Sequence, residues 1–330
     1  MTFFKGYNVA VLGATGLVGR TVLKVLEEYN FPINNLVLFA SLKSLDKEII
    51  FKGKTYRVKQ INEENIKNID FAFLCVNEDI SYKWAKKFEE NNTIVIDNSK
   101  AYRMDDSCAL IVPEVNIDEY FSKRKIISNP NCSTIQTVIL LNALKKYGLK
   151  RVIYNTYQSV SGSGYLGILE LENTLNGDKA VVYKDNISKT CIPQIGLITS
   201  DGYTLEETKM IKETQKILNM PDLMISATCV RVPVKLSHGV SVVVELESDF
   251  EIKDIINTFK NTLGVVVVDD IPTSTLSNNS DFVYVGRIRK DKYYPNTLLF
   301  YCVADNIRRG AAYNAVKIAM KINERKIAEK

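Results

Sequence analysis

Cys132 stands in the stretch Ile126-Ile127-Ser128-Asn129-Pro130-Asn131-Cys132-Ser133-Thr134-Ile135-Gln136, which reads as a buried strand, a proline-fixed turn and the start of a helix. Pro130 fixes its own φ and biases Asn129 towards extended geometry, so the strand ends there. Ser133 and Thr134 are cap formers, and Ile135, Val138, Ile139 and Asn142 recur at helical spacing, predicting a helix to about residues 147–148. A cysteine at that mouth meets free backbone N–H groups and the positive end of the helix dipole, which favour a nucleophilic thiolate. A buried structural thiol is the other reading of the same position. His238 is the single histidine of the chain, so any imidazole chemistry must use it. It follows Arg231 through Val232-Pro233-Val234-Lys235-Leu236-Ser237, and a turn there brings both towards one pocket. Arginine suits a carboxylate because its planar fork binds both oxygens. Thr204 and Glu207 have capping-box spacing at the start of a helix. Glu206 and Lys209, three apart, share another face of that helix and can both meet a ligand.

A second constellation lies near the start of the chain. Residues 7–12 are an apolar run ending in Gly13-Ala14-Thr15-Gly16-Leu17-Val18-Gly19, and a helix follows through Val22, Val25 and Leu26. Strand, glycine turn and helix form the context in which small residues let backbone N–H groups approach a pyrophosphate. The next strand, residues 36–39, opens into Ala40-Ser41-Leu42-Lys43-Ser44, which has two hydroxyls and a cation where a ribose-binding acid is usual. That pattern predicts a 2′-phosphate, hence NADP. Arg103 follows the strand at 93–96, at an end where α/β ligand loops gather, and suits an anion.

The elements that must position these residues fall into two textures. Up to about residue 130, strands alternate with helices, predicting a parallel sheet covered on both faces, with a small hairpin turning at Lys52-Gly53-Lys54. From 151 onward, long β-branched and aromatic strands (151–160, 224–234, 239–247, 282–288, 298–304) and helices at 205–218 and 251–263 read as an α+β domain with a mainly antiparallel sheet. The closing helix, 311–326, is expected to return to the first domain, giving domains 1–130 with 306–330 and 131–305. Residues 175–195 read as a loop with short elements. The chain has 330 residues, 46% hydrophobic and 25% charged, as in an ordinary globular protein. Its six scattered cysteines lack a CxxC pair, arguing against zinc or a disulfide framework and for a reducing cytoplasm. No metal is expected. The longest aliphatic run is too short to cross a bilayer, and an early strand leaves no room for a signal peptide. The net charge of +5 is spread over interleaved lysines and acids, which suits an anionic small molecule better than nucleic acid.

Taken together, Gly13 to Gly19, Asn129 to Gln136, Tyr157-Gln158-Ser159-Val160-Ser161-Gly162-Ser163-Gly164, the Arg231 to His238 element and Asp305-Asn306 resemble one family over nearly the whole chain: aspartate-β-semialdehyde dehydrogenase, of the glyceraldehyde-3-phosphate-dehydrogenase-like fold group. The resemblance implies a Rossmann-type NADP-binding domain and an α+β catalytic and dimerisation domain. It implies that Cys132 is the nucleophile, His238 the acid/base, and Gln158 the residue that orients the acyl intermediate. Arg231 would grip the substrate carboxylate, Glu206 the amino group, and Arg103 and Lys209 phosphate, with Asn131 also at the substrate. Gly13, Thr15, Gly16, Leu17, Val18, Gly19, Ser41, Lys43, Ser44, Ser161, Gly162 and Asn306 would line the NADP site. The implied reaction is NADPH-dependent reduction of L-4-aspartyl phosphate to the semialdehyde, in biosynthesis of lysine, threonine and methionine, by a homodimer or homotetramer. Alternatives are an N-acetyl-γ-glutamyl-phosphate reductase, which needs no charged partner for its acylated amine, and a non-catalytic NADP-binding sensor. A short-chain reductase reading, from Tyr82 and Lys86, comes too early in the chain.

Overall fold

In a computed structural model that describes residues 6–329, the chain divides into two compact units, Met1–Pro130 with Ala311–Lys330, and Asn131–Gly310. The expectation about a targeting segment falls on residues outside the described ones. The first unit holds β1 (Tyr7–Leu12), α1 (Leu17–Glu28), β2 (Ile33–Phe39), the hairpin β3 (Glu48–Phe51) and β4 (Lys54–Arg57), β5 (Phe71–Leu74), α2 (Glu78–Glu90), β6 (Ile94–Asp97), β7 (Ala109–Leu110), α3 (Pro113–Asn116) and β8 (Ile126–Ser128). Six strands form one parallel sheet in the order β2-β1-β5-β6-β8-β7. Side chains alternate across it with period two. Val9, Val11, Phe71, Phe73, Ile94 and Ile96 pack on one face with α1 and the C-terminal helix Asn314–Ala328. Ala10, Leu12, Ala72, Leu74 and Val95 pack on the other with Trp84, Ala85 and Phe88 of α2. Both faces are therefore covered, and the strand order reverses direction between β1 and β5, the place where such sheets open a ligand crevice.

The second unit begins with α4 (Cys132–Leu144) and continues through β9 (Leu149–Gln158), α5 (Gly164–Leu175), α6 (Leu205–Leu218), β10 (Met224–Arg231), β11 (His238–Leu246), α7 (Ile252–Lys260), β12 (Val265–Val267), α8 (Ser274–Ser277), β13 (Val283–Lys290) and β14 (Thr297–Ala304). Its sheet runs β10-β9-β11-β14-β13-β12. The centre is antiparallel, but β10 pairs β9 in parallel and β12 pairs β13 in parallel. The sheet is thus mixed but mainly antiparallel, as expected, with three of its five pairings antiparallel; α5 and α6 intervene between β9 and β10 and make that connection a crossover. Helix α4 is buried on nearly every side, from Ser133 to Leu141, and touches α6, α7, β9, β11 and β14. A helix apolar all round belongs in a core, so its N-terminal residue is held rigidly.

Two expectations change. The division between the units falls after Gly310 rather than before Asn306, because Asn306 is tied to Ser159, Ser161 and Ser237 of the second unit. Residues 164–175 form a helix, α5, where no element was expected. Beyond it the chain to Ile192 is anchored by Glu170, whose buried carboxylate accepts N–H groups of Val181, Val182 and Tyr183. Among the described residues no helix is long and apolar enough to cross a membrane.

Candidate functional site

Asn131 is the N-cap of α4. Its Oδ1 accepts from Ser133 N at 2.9 Å and Thr134 N at 3.4 Å, so Ser133 and Thr134, expected as caps, lie inside the first turn. Asn131 is itself held from α6. Its N–H donates to Glu213 at 2.6 Å and its Nδ2 to Glu206 at 2.7 Å. The two acids are seven residues apart, two turns along one helix face. Cys132, the first residue of α4, is half-buried. Gly310 lets the chain pass over it, since a Cβ there would sit 2.6 Å from the Cys132 Cβ. Of the other cysteines, Cys75, Cys229 and Cys302 have thiols pushed well up by burial, and Cys108 is pushed up to about 11 for the same reason. Those four are poor nucleophiles at neutral pH.

The carboxyl end of β9 carries Gln158. It lies between β10, whose Arg231 is its register partner, and β11, which starts at His238. Residues 232–237 are therefore not a hairpin turn but a strap across the end of β9. Val232 N donates to Gln158 O, Val160 N to Val234 O and Ser161 N to Lys235 O. The strap delivers Arg231 and His238 to opposite flanks of Gln158. Arg231 donates through Nη1 to Ser159 O at 2.6 Å, and a Cβ on Gly162 would lie 2.7 Å from that same nitrogen. Ser159 N donates to His238 Nδ1 at 3.0 Å. Asn306 Oδ1 collects three donors: Ser159 Oγ at 3.1 Å, Ser161 Oγ at 3.0 Å and Ser237 N at 2.9 Å.

This cluster has donors with nothing to bind. Gln158 Nε2, Arg231 Nε and His238 Nε2 are buried and have no hydrogen-bond partner among the described residues. Unmet buried donors are costly and normally rare, so three around one strand end mark the place of a polar ligand. Burial, with the Arg231 charge nearby, brings His238 down to about 3. Burial works to raise Glu206, but the charge and hydrogen bond of Lys209, the hydrogen bond of Asn131 and the Arg231 charge outweigh it and hold the carboxyl at about 2. The Lys209–Glu206 contact, 2.9 Å with the acid 8% exposed, is therefore more than a surface ion pair. Glu207 completes its capping box with Thr204 and also accepts from Cys229 N.

In the first unit the turn after β1 is closed by Gly13 N and Ala14 N donating to Phe39 O at 2.8 and 3.0 Å. Gly13 has φ +85°, and a Cβ there would meet Cys75 O at 2.3 Å; at Gly19 it would meet Gly13 O at 2.2 Å. Gly16, by contrast, is exposed and caps α1 with no side chain, and no acid stands in the first turn of α1. The amide ends of a twelve-residue helix thus lie bare behind a turn with no Cβ in the way, which fits a dinucleotide pyrophosphate. Thr15, Leu17 and Val18 flank that turn; Ser41 and Lys43 are exposed in the loop after β2, with Ser44 half-buried beside them. Arg103 also belongs to the first unit; it is buried and donates through Nη2 to Asn98 O at 3.0 Å.

The second unit therefore gathers Asn131, Gln158, Ser161, Gly162, Glu206, Lys209, Arg231, His238 and Asn306, with Cys132 at the helix mouth, while the glycine turn, Ser41, Lys43, Ser44 and Arg103 belong to the first. Glu213, Ser159 and Ser237 were missed. Only the helical spacing of Glu213 from Glu206 hinted at the first of these. Tyr82 and Lys86 lie on α2, with the Tyr82 hydroxyl donating to Ala101 O. Among the described residues no acid, histidine and cysteine cluster has the makings of a metal site.

Comparisons with known proteins place the chain in a family. Residues 8–122 match the model for the semialdehyde dehydrogenase NAD binding domain and residues 140–309 that for the semialdehyde dehydrogenase dimerisation domain. The aspartate-semialdehyde dehydrogenase of Aquifex aeolicus is 46% identical, over 95% of this chain and 97% of that protein. That of Bacillus subtilis is 39% identical, over 97% and 98%. The crystal structure of aspartate semialdehyde dehydrogenase II from Vibrio cholerae superposes with a TM-score of 0.94 at 40% identity, covering 97% of this chain and 99% of that one. With both family models matched and relatives this similar over nearly its whole length, the chain belongs to the aspartate-semialdehyde dehydrogenase family.

Proposed function

We propose that the chain catalyses the NADPH-dependent reduction of L-4-aspartyl phosphate to L-aspartate 4-semialdehyde and phosphate, and the reverse, a reading supported by its relatives named aspartate-semialdehyde dehydrogenase. The observation that carries the reading is the set of unmet donors on Gln158, Arg231 and His238 in the unit where Cys132 opens the core helix. The first unit would hold the nucleotide through the Gly13 to Gly19 turn, Ser41, Lys43 and Ser44, and the nucleotide, when bound, would supply hydride chemistry. Lys43, with no acid among residues 40–44, favours the 2′-phosphate and thus NADP over NAD.

The chemistry of the chain's own residues follows. The Cys132 thiolate, favoured by the helix N-terminus, attacks the acyl carbon; an S–C bond forms, the C–O bond to phosphate breaks, and a thioester remains. Gln158 Nε2 donates to the acyl oxygen. Arg231 pairs with the substrate α-carboxylate, Glu206 with the α-ammonium, and Asn131 orients both Glu206 and α4. Lys209, next to Glu206 on α6, binds phosphate in the second unit. His238 exchanges the proton of the thiohemiacetal hydroxyl at Nε2, and collapse of that adduct releases the aldehyde and restores the thiolate. Acetylation would remove the charge that Glu206 pairs with, which disfavours an N-acetyl-γ-glutamyl substrate.

The second unit is the subunit contact of a homodimer or homotetramer. Ile153, Val243 and Leu299, aligned across β9, β11 and β14, form a partly open apolar row beside Tyr157 and Tyr301. Sedimentation gives the assembly. A reducing cytoplasm is the setting that keeps Cys132 from being oxidised. The deciding assay follows NADPH formation from aspartate semialdehyde and phosphate, beside NAD. Wild-type protein turns over with NADP, and Cys132→Ser loses turnover while still binding NADPH. Phosphate-dependent NADPH formation retained by that variant overturns the reading.

A further inference from the structure

The backbone oxygen of Ser159 is shared by two donors. Gly162 N reaches it at 3.2 Å across the short turn Val160–Ser163, and Arg231 Nη1 reaches it at 2.6 Å from the end of β10. Two bonds to one oxygen set the glycine Cα beside the guanidinium. Outside its own stretch of chain, a Cβ on Gly162 would have its three nearest heavy atoms all in that group: Nη1 at 2.7 Å, and Cζ and Nη2 at 3.5 Å. Backbone conformation does not demand a glycine here, since Gly162 is not among the residues with positive φ. Gly162 is exposed, whereas Arg231 is only 5% exposed. The missing methyl therefore matters to one neighbour, and that neighbour is a buried arginine.

The rest of the guanidinium's frame is fixed. The Arg231 backbone is pinned on both sides, by its register with Gln158 of β9 and by a pair of bonds with Ile192: Arg231 N donates to Ile192 O at 2.8 Å, and Ile192 N to Arg231 O at 2.9 Å. Ser159 is buried, and the Gly162 N–H holds its carbonyl. A methyl pressed against backbone moves the fold, but a methyl pressed against the end of a side chain moves that end. Gly162→Ala would thus keep the turn and push Nη1 by about 0.8 Å, from 2.7 Å to an ordinary contact distance, off the Ser159 carbonyl. We infer that Gly162 is a positioning residue for Arg231: its bare Cα is the seat that lets the guanidinium lie on Ser159 O and leaves Nε to a carboxylate oxygen. The inference rests on the grip of Arg231 on the substrate carboxylate proposed above.

Gly162→Ala is expected to raise KM for aspartate semialdehyde about tenfold, the lower end of what a hydrogen bond between charged groups contributes. It is expected to leave kcat within about threefold and the NADPH dissociation constant, from fluorescence titration, within about twofold. Its urea midpoint is expected to match or exceed that of the wild type, because alanine restricts the unfolded chain where φ allows it. In an Arg231→Lys background, which has no Nη1, adding Gly162→Ala is expected to change KM by less than about twofold. An unchanged KM in Gly162→Ala, or a rise of equal size in both backgrounds, overturns the assignment. So does a loss confined to NADPH binding, which would put Gly162 with the nucleotide, or a lowered urea midpoint, which would mean that the turn moved and not the arginine. Absence of wild-type turnover with aspartate semialdehyde removes the proposed reaction and this role with it, whereas wild-type turnover beside an indifferent Gly162→Ala removes the seat alone.

Discussion

The two units build their sites in opposite ways. In the first, the nucleotide turn is seven consecutive residues, and its geometry is backbone: Gly13 N and Ala14 N on Phe39 O, a positive φ, and two glycines pressed against main-chain oxygen. In the second, the cluster draws on residues 131–132, 158–162, 206–213, 231–238 and 306–310, joined by side chains. A site written in one short segment tolerates change around it and fails at single atoms within it. A site assembled from five segments is sensitive to residues that never touch the ligand.

The largest expected effect tests the first half of that contrast. Gly19→Ala sets a Cβ 2.2 Å from a backbone oxygen and is expected to cost about 3 kcal/mol of stability, read from urea unfolding. Gly16→Ala, whose Cβ meets nothing closer than 3.3 Å, is expected to keep stability within about 1 kcal/mol and to weaken NADPH binding. Equal losses in the two variants would mean that the turn is not divided into packing and ligand-facing positions.

Next comes a residue with no ligand to bind. Glu213→Ala strips the acceptor from Asn131 N–H and is expected to cost about 2 kcal/mol and to lower kcat through the start of α4, whereas Glu213→Gln keeps an oxygen and recovers part of both. An alanine variant with wild-type kcat would show that the α6 brace does not reach Cys132.

A pH titration reads two buried groups of the second unit. In the unfolded chain the imidazole of His238 binds a proton below its ordinary 6.5, but in the fold not until about 3. The unfolded state thus holds more protons in that window, and stability falls as pH drops through it, by at most about 1.4 kcal/mol per pH unit for one proton. Glu206, held at about 2 against its ordinary 4.5, adds a loss in the same direction below 4.5. His238→Gln is expected to flatten the curve between 6.5 and 4.5, and a slope that persists there assigns it to other groups. The smallest effect belongs to an exposed loop. Lys43→Ala is expected to raise KM for NADPH about fivefold and to leave NADH unchanged. An equal rise for both would remove Lys43 from 2′-phosphate recognition.

What could be read beforehand follows the same division. The Gly13 to Gly19 turn, the strand and helix periods around it and the Thr204–Glu207 capping box are local patterns, and each reappears where it was expected. The helix α5 was obscured because Gly164 and Gly167 look like loop residues; Gly167 is instead packed against Val160 O, where a Cβ would come within 2.3 Å. The parallel pairing of β9 and β10 had no sequence mark, since it depends on where a crossover lands. Ser159 and Glu213 were invisible because serine and glutamate are ordinary surface residues until the fold buries them beside a ring nitrogen and a backbone N–H.

The strap of residues 232–237 carries one last implication. It spans a single strand, and its two ends are the arginine and the histidine. Shortening or lengthening it by one residue would shift one end against the other, so the length of those six residues sets the spacing of the two side chains across Gln158.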